Sequence, residues 1–162
     1  MTELLTRVHL LLRAGGHTIA TAESLTGGRL AVGLTDVPGA SETYLGGVVT
    51  YATEVKASLL EVDQEIIDEH GVVSAECARA MASGVRALMG ASFGLSTTGV
   101  AGPTEQEGKP PGTVFVGIAG PGLLEVVALE LSGDRGKIQR RTCEEAFAAL
   151  EAVLRREETP LG

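Results

Sequence analysis

Apolar residues recur along this chain with two periods, one helical and one of strands. Near the N-terminus, Leu4, Leu5, Val8, Leu11 and Leu12 repeat at helical spacing, and Gly15-Gly16 closes that helix. "HTIATA", from His17, reads as a short buried strand. Between Thr26 and Asp36, Leu30, Ala31, Leu34 and Thr35 share one helical face, and Pro38-Gly39 stops it. "LGGVVTYA" is a second predicted strand, followed by a short helix that Thr53 can cap and that carries Val55, Leu59 and Leu60. The acidic run from Glu61 to Glu69 predicts a solvated helix with Val62, Ile66 and Ile67 turned inward. The clearest helical stripe is Cys77, Ala78, Met81, Ala82, Val85, Leu88 and Met89, with Ser74 as its cap and Gly90 as its stop. "ASFGLSTT" is a third strand. The loop from Gly99 to Gly112 holds three of the six prolines and is predicted irregular and exposed. "TVFVGIA" and "LEVVALEL" flank Gly120-Pro121-Gly122 as a hairpin. Asp134 then opens a long helix in which Ile138, Thr142, Ala146, Ala149, Leu150, Val153 and Leu154 share a face.

Strands separated by helices imply a largely parallel sheet covered on both faces. The hairpin requires at least one antiparallel strand. The expectation is an α/β fold, three-layer α/β/α, with a mixed, mostly parallel sheet of about five strands. No repeat or linker interrupts the pattern, so residues 1–162 read as a single domain. In such sheets ligands bind beyond the carboxyl ends of parallel strands. "TAESLTGG", the segment after Tyr51, and "TTGVAGP" all lie at such ends and can converge on one site.

Composition narrows the function. With only 3% aromatic residues and no Trp, the core is built from Val, Leu, Ile and Ala. A net charge of −8 argues against a nucleic-acid partner, while leaving room for a local basic pocket that takes one small phosphate. Cys77 and Cys143 match no metal spacing and read as buried thiols. The N-terminus has no signal-peptide pattern and no apolar run is long enough to span a bilayer. A cytoplasmic protein with no membrane partner is the expectation.

Candidate chemistry is sparse. His9, His17 and His70 lie outside the three convergent loops, which argues against a Ser-His-Asp triad. Neither a G-x-S-x-G elbow nor a Walker A string occurs. What remains is Ser24 near a helix start and Lys56 after the next strand. A serine hydroxyl needs a neighbouring base, and lysine serves only when neutral, a state that burial favours. Val55 and Ala57 flank Lys56 and are compatible with burial. Amides at the helix start and at Gly27-Gly28 could hold an anion or a developing oxyanion. The plainer readings stand beside these: Ser24 or Thr26 as helix cap, Lys56 exposed, Tyr51 in the core, Thr98 an ordinary strand residue, Arg135 in a surface ion pair with Asp134.

Six segments in order, "TAESLTGG", "GGVVTYATEVKASLLEV", "GVVSAECARAMASG", "STTGVAGP", "KPPGTVFVGIA" and "SGDR", closely resemble the CinA C-terminal domain family, also called PncC-type nicotinamide-nucleotide amidases. The resemblance runs from about Thr18 to Arg135 and more loosely over both end helices. It implies an α/β/α fold and deamidation of nicotinamide mononucleotide to nicotinate mononucleotide and ammonia. It implies Ser24 as nucleophile, Lys56 as general base and Tyr51 as a residue that positions or polarises the pair. Thr98 and Gly99 would line the substrate pocket, with Arg135 on the nucleotide and the Gly27-Gly28 backbone near the reacting group. This chemistry requires no metal or redox cofactor. The implied partner is a small-molecule nucleotide, and a homodimer is a further expectation. Leu25 stands where the family often has cysteine. Longer relatives carry an N-terminal nucleotide-pyrophosphatase domain, and that second activity is not expected here. The alternatives are a non-catalytic nucleotide- or protein-binding member of the fold, or an amidase for another small carboxamide.

Overall fold

The side chains that alternate along β1 (Ile19–Glu23) explain the architecture. Ile19 belongs to one apolar cluster and Ala20 and Ala22 to a second, so the strand is covered on both faces. The computed structural model describes residues 1–158; residues 159–162, the end of the expected domain, lie outside the described residues. β1 is flanked by β2 (Tyr44–Val49) and β3 (Phe93–Gly99), and both pairings are parallel. β3 then pairs antiparallel with β4 (Thr113–Gly120), which turns at Pro121-Gly122 into β5 (Leu123–Glu130). The five-stranded order is β2-β1-β3-β4-β5.

The expected sheet is mixed, as observed, but "mostly parallel" overstates it. Two pairings are parallel and two antiparallel. The reason lies in the connections. No helix follows β3 before β4, so the chain returns directly and antiparallel.

Helices α1 (Thr2–Ala14), α2 (Arg29–Thr35) and α6 (Arg135–Glu158) cover one face. Leu5, Val8 and Leu12 of α1, Leu30 and Leu34 of α2, and Ile138, Phe147 and Leu150 of α6 share a core with Phe93, Leu95 and Val116 of the sheet. On the other face lie α3 (Thr53–Leu60), α4 (Gln64–His70) and α5 (Ala75–Met89). There Leu60, Val72, Cys77, Met81 and Val85 pack on Ala20 and Ala22. α5 lies very close to the sheet. A Cβ at Gly94 would sit 2.1 Å from the Ala82 carbonyl oxygen, and the neighbouring Ser96 hydroxyl donates to Ala78 O at 2.6 Å. Small residues on that face of β3 are therefore a packing requirement.

Helix ends follow the expected signals in most places. Ser74 accepts from Cys77 N at 3.1 Å and Gly90 closes α5 with φ +64°. Asp134 accepts from Lys137 N at the start of α6. Three expectations fail. The acidic helix expected from Glu61 starts at Gln64 with Asp63 as its cap, because Glu61 still closes α3, so Val62 lies before it. Thr53 is the first residue of α3 and does not cap it; Ala52 occupies the cap position. α2 begins at Arg29, not near Thr26, because another side chain takes over its start.

Candidate active site

At the carboxyl end of β1, strand alternation sends consecutive residues to opposite layers. Glu23 faces α2 and Ser24 faces α3. The same rule acts at the end of β3, where Thr97 reaches Thr26 while Thr98 donates to Val72 O at 2.7 Å. β1, β2 and β3 end side by side, and the three loops leaving them enclose a cleft of about 370 Å³, a size suited to one small ligand. Ser24 and Leu25 come from the first loop, Tyr51 and Lys56 from the second, and Thr98, Gly99 and the residues to Gly102 from the third. Arg135, the first residue of α6, completes the wall.

Lys56 is only 1% exposed, yet it carries an amine. α3 places its Nζ 3.0 Å from Ser24 Oγ, 2.7 Å from Thr50 O and 3.2 Å from Tyr51 O. As an ammonium it donates to all three. As a neutral amine it has two hydrogens, which the two carbonyls accept, and one lone pair, which then faces the Ser24 hydroxyl. A carbonyl has no proton to give, so of these three neighbours only Ser24 can protonate Lys56. Burial lowers the Lys56 pKa and so favours the neutral form. Ser24 is itself 8% exposed and opens into the cleft.

The amides at the start of α2 are not available for chemistry. Glu23, 1% exposed, accepts from Gly28 N, Leu30 N and Ala31 N at 3.2, 2.8 and 3.2 Å. It also accepts from the Thr26 hydroxyl at 2.6 Å. Because Thr26 donates there, its contact with Thr97 Oγ1 at 2.8 Å is one in which Thr97 donates. Glu23 is therefore the cap of α2, and Ser24 is not. Gly27 and Gly28 (φ +58° and +107°) form the turn between them. The Gly27 N–H donates to Ser24 O and the Gly28 N–H to Glu23, so neither amide is free, and neither glycine lines the cleft. Among the described residues no acceptor holds the Leu25 N–H, which follows Ser24 directly.

The other expected residues occupy distinct places. Tyr51 is 60% exposed, and its hydroxyl accepts from Arg135 at 3.0 Å; its hydrogen bond with Lys56 is made by its carbonyl. Arg135 also donates to Gly102 O and so ties the loop after β3 to the mouth of the cleft. Thr98 and Gly99 line the cleft. Sequence reading missed Val72 and Val73, which form its floor beside Thr98; Thr104–Gln106 add a wall from the loop after β3. The only signal for the two valines was an apolar pair ahead of a capping serine.

A family model for the CinA C-terminal domain matches residues 1–154. The chain belongs to the CinA C-terminal domain family. A CinA-like protein of Frankia casuarinae is 56% identical over 122 residues, 75% of this chain and 28% of that protein. A putative competence-damage inducible protein of Caldanaerobacter subterraneus is 50% identical over 145 residues, 89% of this chain and 35% of that protein. The chain thus spans about a third of the length of these curated relatives. A CinA superfamily protein from Klebsiella pneumoniae superposes with a TM-score of 0.93 at 36% identity, covering 96% of this chain and 98% of that one. The CinA fold therefore extends over nearly all of the sequence. Among the described residues of this CinA domain no helix is long and apolar enough to cross a membrane, and no three His, Cys, Asp or Glu gather to hold a metal ion.

Proposed function

We propose that this CinA domain is an amidase that deamidates nicotinamide mononucleotide through a Ser24 acyl-enzyme, with Lys56 as general base. One observation carries the reading: the Thr50 and Tyr51 carbonyls take two Lys56 hydrogens and aim the remaining position of the nitrogen at Ser24 Oγ. Neutral Lys56 removes the Ser24 proton as Oγ attacks the carboxamide carbon. The tetrahedral oxyanion forms next to the Leu25 N–H, since the α2 amides are held by Glu23. The resulting Lys56 ammonium returns its proton to the departing nitrogen, the C–N bond breaks and ammonia leaves. Lys56 then takes a proton from water as the oxygen attacks the ester, and returns it to the Ser24 oxygen as that bond breaks, releasing nicotinate mononucleotide and restoring the Ser24 hydroxyl and the neutral amine. Arg135, at the cleft wall, offers the cation that a nucleotide phosphate requires.

The test is ammonia release from nicotinamide mononucleotide by the wild type, Ser24→Ala and Lys56→Ala. The expected loss is on the order of 10⁴-fold or more for Ser24→Ala and about 10²–10⁴-fold for Lys56→Ala. Equal rates in all three refute the dyad, and no release by the wild type refutes the substrate.

A further inference from the structure

The loop after β3 is irregular, and its residues 103–108 are exposed, as expected; it is also clamped. Gln106 and Lys109 exchange backbone hydrogen bonds of 3.0 and 2.9 Å. Between them Glu107 and Gly108 both have positive φ, +55° and +74°, as a tight hairpin turn of the primed type requires. At its tip the Glu107 carboxylate accepts from Val72 N at 3.0 Å and Val73 N at 2.8 Å. Lys109 Nζ donates to Val73 O, and Thr98 donates to Val72 O. Both peptide units of the Val72-Val73 pair are thus held, and both residues form the floor of the cleft. Gly71, with φ +76°, clears the approach: a Cβ there would lie 2.5 Å from Glu107 Oε2.

We propose that Glu107 is a positioning residue for the Ser24–Lys56 site: its carboxylate latches the Gln106–Lys109 hairpin onto Val72-Val73 and so fixes the Thr104–Gln106 wall of the cleft. This rests on the amidase reading for its kinetic consequences and on geometry alone for the latch. The carboxylate has a second effect. Burial lowers the Lys56 pKa, while Cys77, Glu107 and Glu54 push it back up. Cys77, itself pushed up to about 11 by burial, stays a neutral thiol near pH 7, so Glu107 and Glu54 are the charges that act. Glu105 and Arg135 line the same cleft, and both remain in the variants below.

Glu107→Ala removes latch and charge, whereas Glu107→Gln removes the charge and keeps one acceptor for the two amides. In Glu107→Ala the Val72 and Val73 amides are expected to exchange hydrogen faster, by about tenfold or more, with a comparable rise in KM. In both variants the acid limb of the kcat profile moves to lower pH, because the charge that favours the Lys56 ammonium is gone. A role confined to holding the loop would not move that limb. Unchanged protection of the two amides in Glu107→Ala, or an unmoved limb in both variants, overturns the proposal. If the wild type releases no ammonia, the amidase reading fails, and amide exchange still decides the latch.

Discussion

Glu23 and Ser24 are adjacent in the chain and serve opposite faces of the sheet. The first holds three amides of α2 and its turn, and the second meets Lys56 at 3.0 Å. The division of labour matters because a serine that capped α2 would have its oxygen turned toward helix amides and away from a base. With the cap supplied by a buried carboxylate, the hydroxyl is left for Lys56.

The first expectation concerns pH. Lys56 acts only as a neutral amine, and burial lowers its pKa. Activity should therefore rise with pH through a single ionisation below the ordinary lysine value of about 10.4. The same shift has a sign for stability. Between the lowered folded value and the ordinary unfolded one, the unfolded chain binds more protons, so its Lys56 contribution to stability increases with pH across that window and levels off above it. A pH series of kcat alongside urea unfolding of wild type and Lys56→Met checks both. A flat kcat profile from acid to alkaline pH would exclude the base.

Glu23 should matter for folding more than any other polar residue near the cleft. Replacing it with Gln leaves one acceptor for four donors and introduces an amide N–H₂ facing them. The expected loss is about 3 kcal/mol, from hydrogen bonds to a charged, buried acceptor. Urea unfolding of Glu23→Gln against the wild type measures it, and a change under about 0.5 kcal/mol, the range of an ordinary surface substitution, contradicts the capping role.

Arg135 makes a different prediction because it sits at the rim. If its guanidinium reads the substrate phosphate, Arg135→Ala should raise KM for the nucleotide about ten- to a hundredfold. The effect on the dephosphorylated nucleoside should be small. Equal effects on both substrates would instead assign Arg135 to holding Gly102 and Tyr51 in place.

Much of this arrangement was legible before the structure. Hydrophobic period located all the strands and the helices from α1 to α6, since a helix and a strand bury their apolar residues at different spacings. Ser74 and Asp134 announced their caps, and the motifs ending β1, β2 and β3 announced where a site would form. These are local properties, set by a residue and its near neighbours in the chain. Three matters were decided only by the folded chain. Glu23 captures α2 because α2 folds back over the end of β1. Tyr51 meets Lys56 through its carbonyl because the turn into α3 directs backbone oxygens inward and leaves the residue itself exposed. Glu107 reaches Val72 and Val73 across 35 and 34 residues of sequence. Each depends on where a backbone N–H or C=O points once distant segments have packed. Such groups are the same at every residue, so no side-chain pattern records their direction.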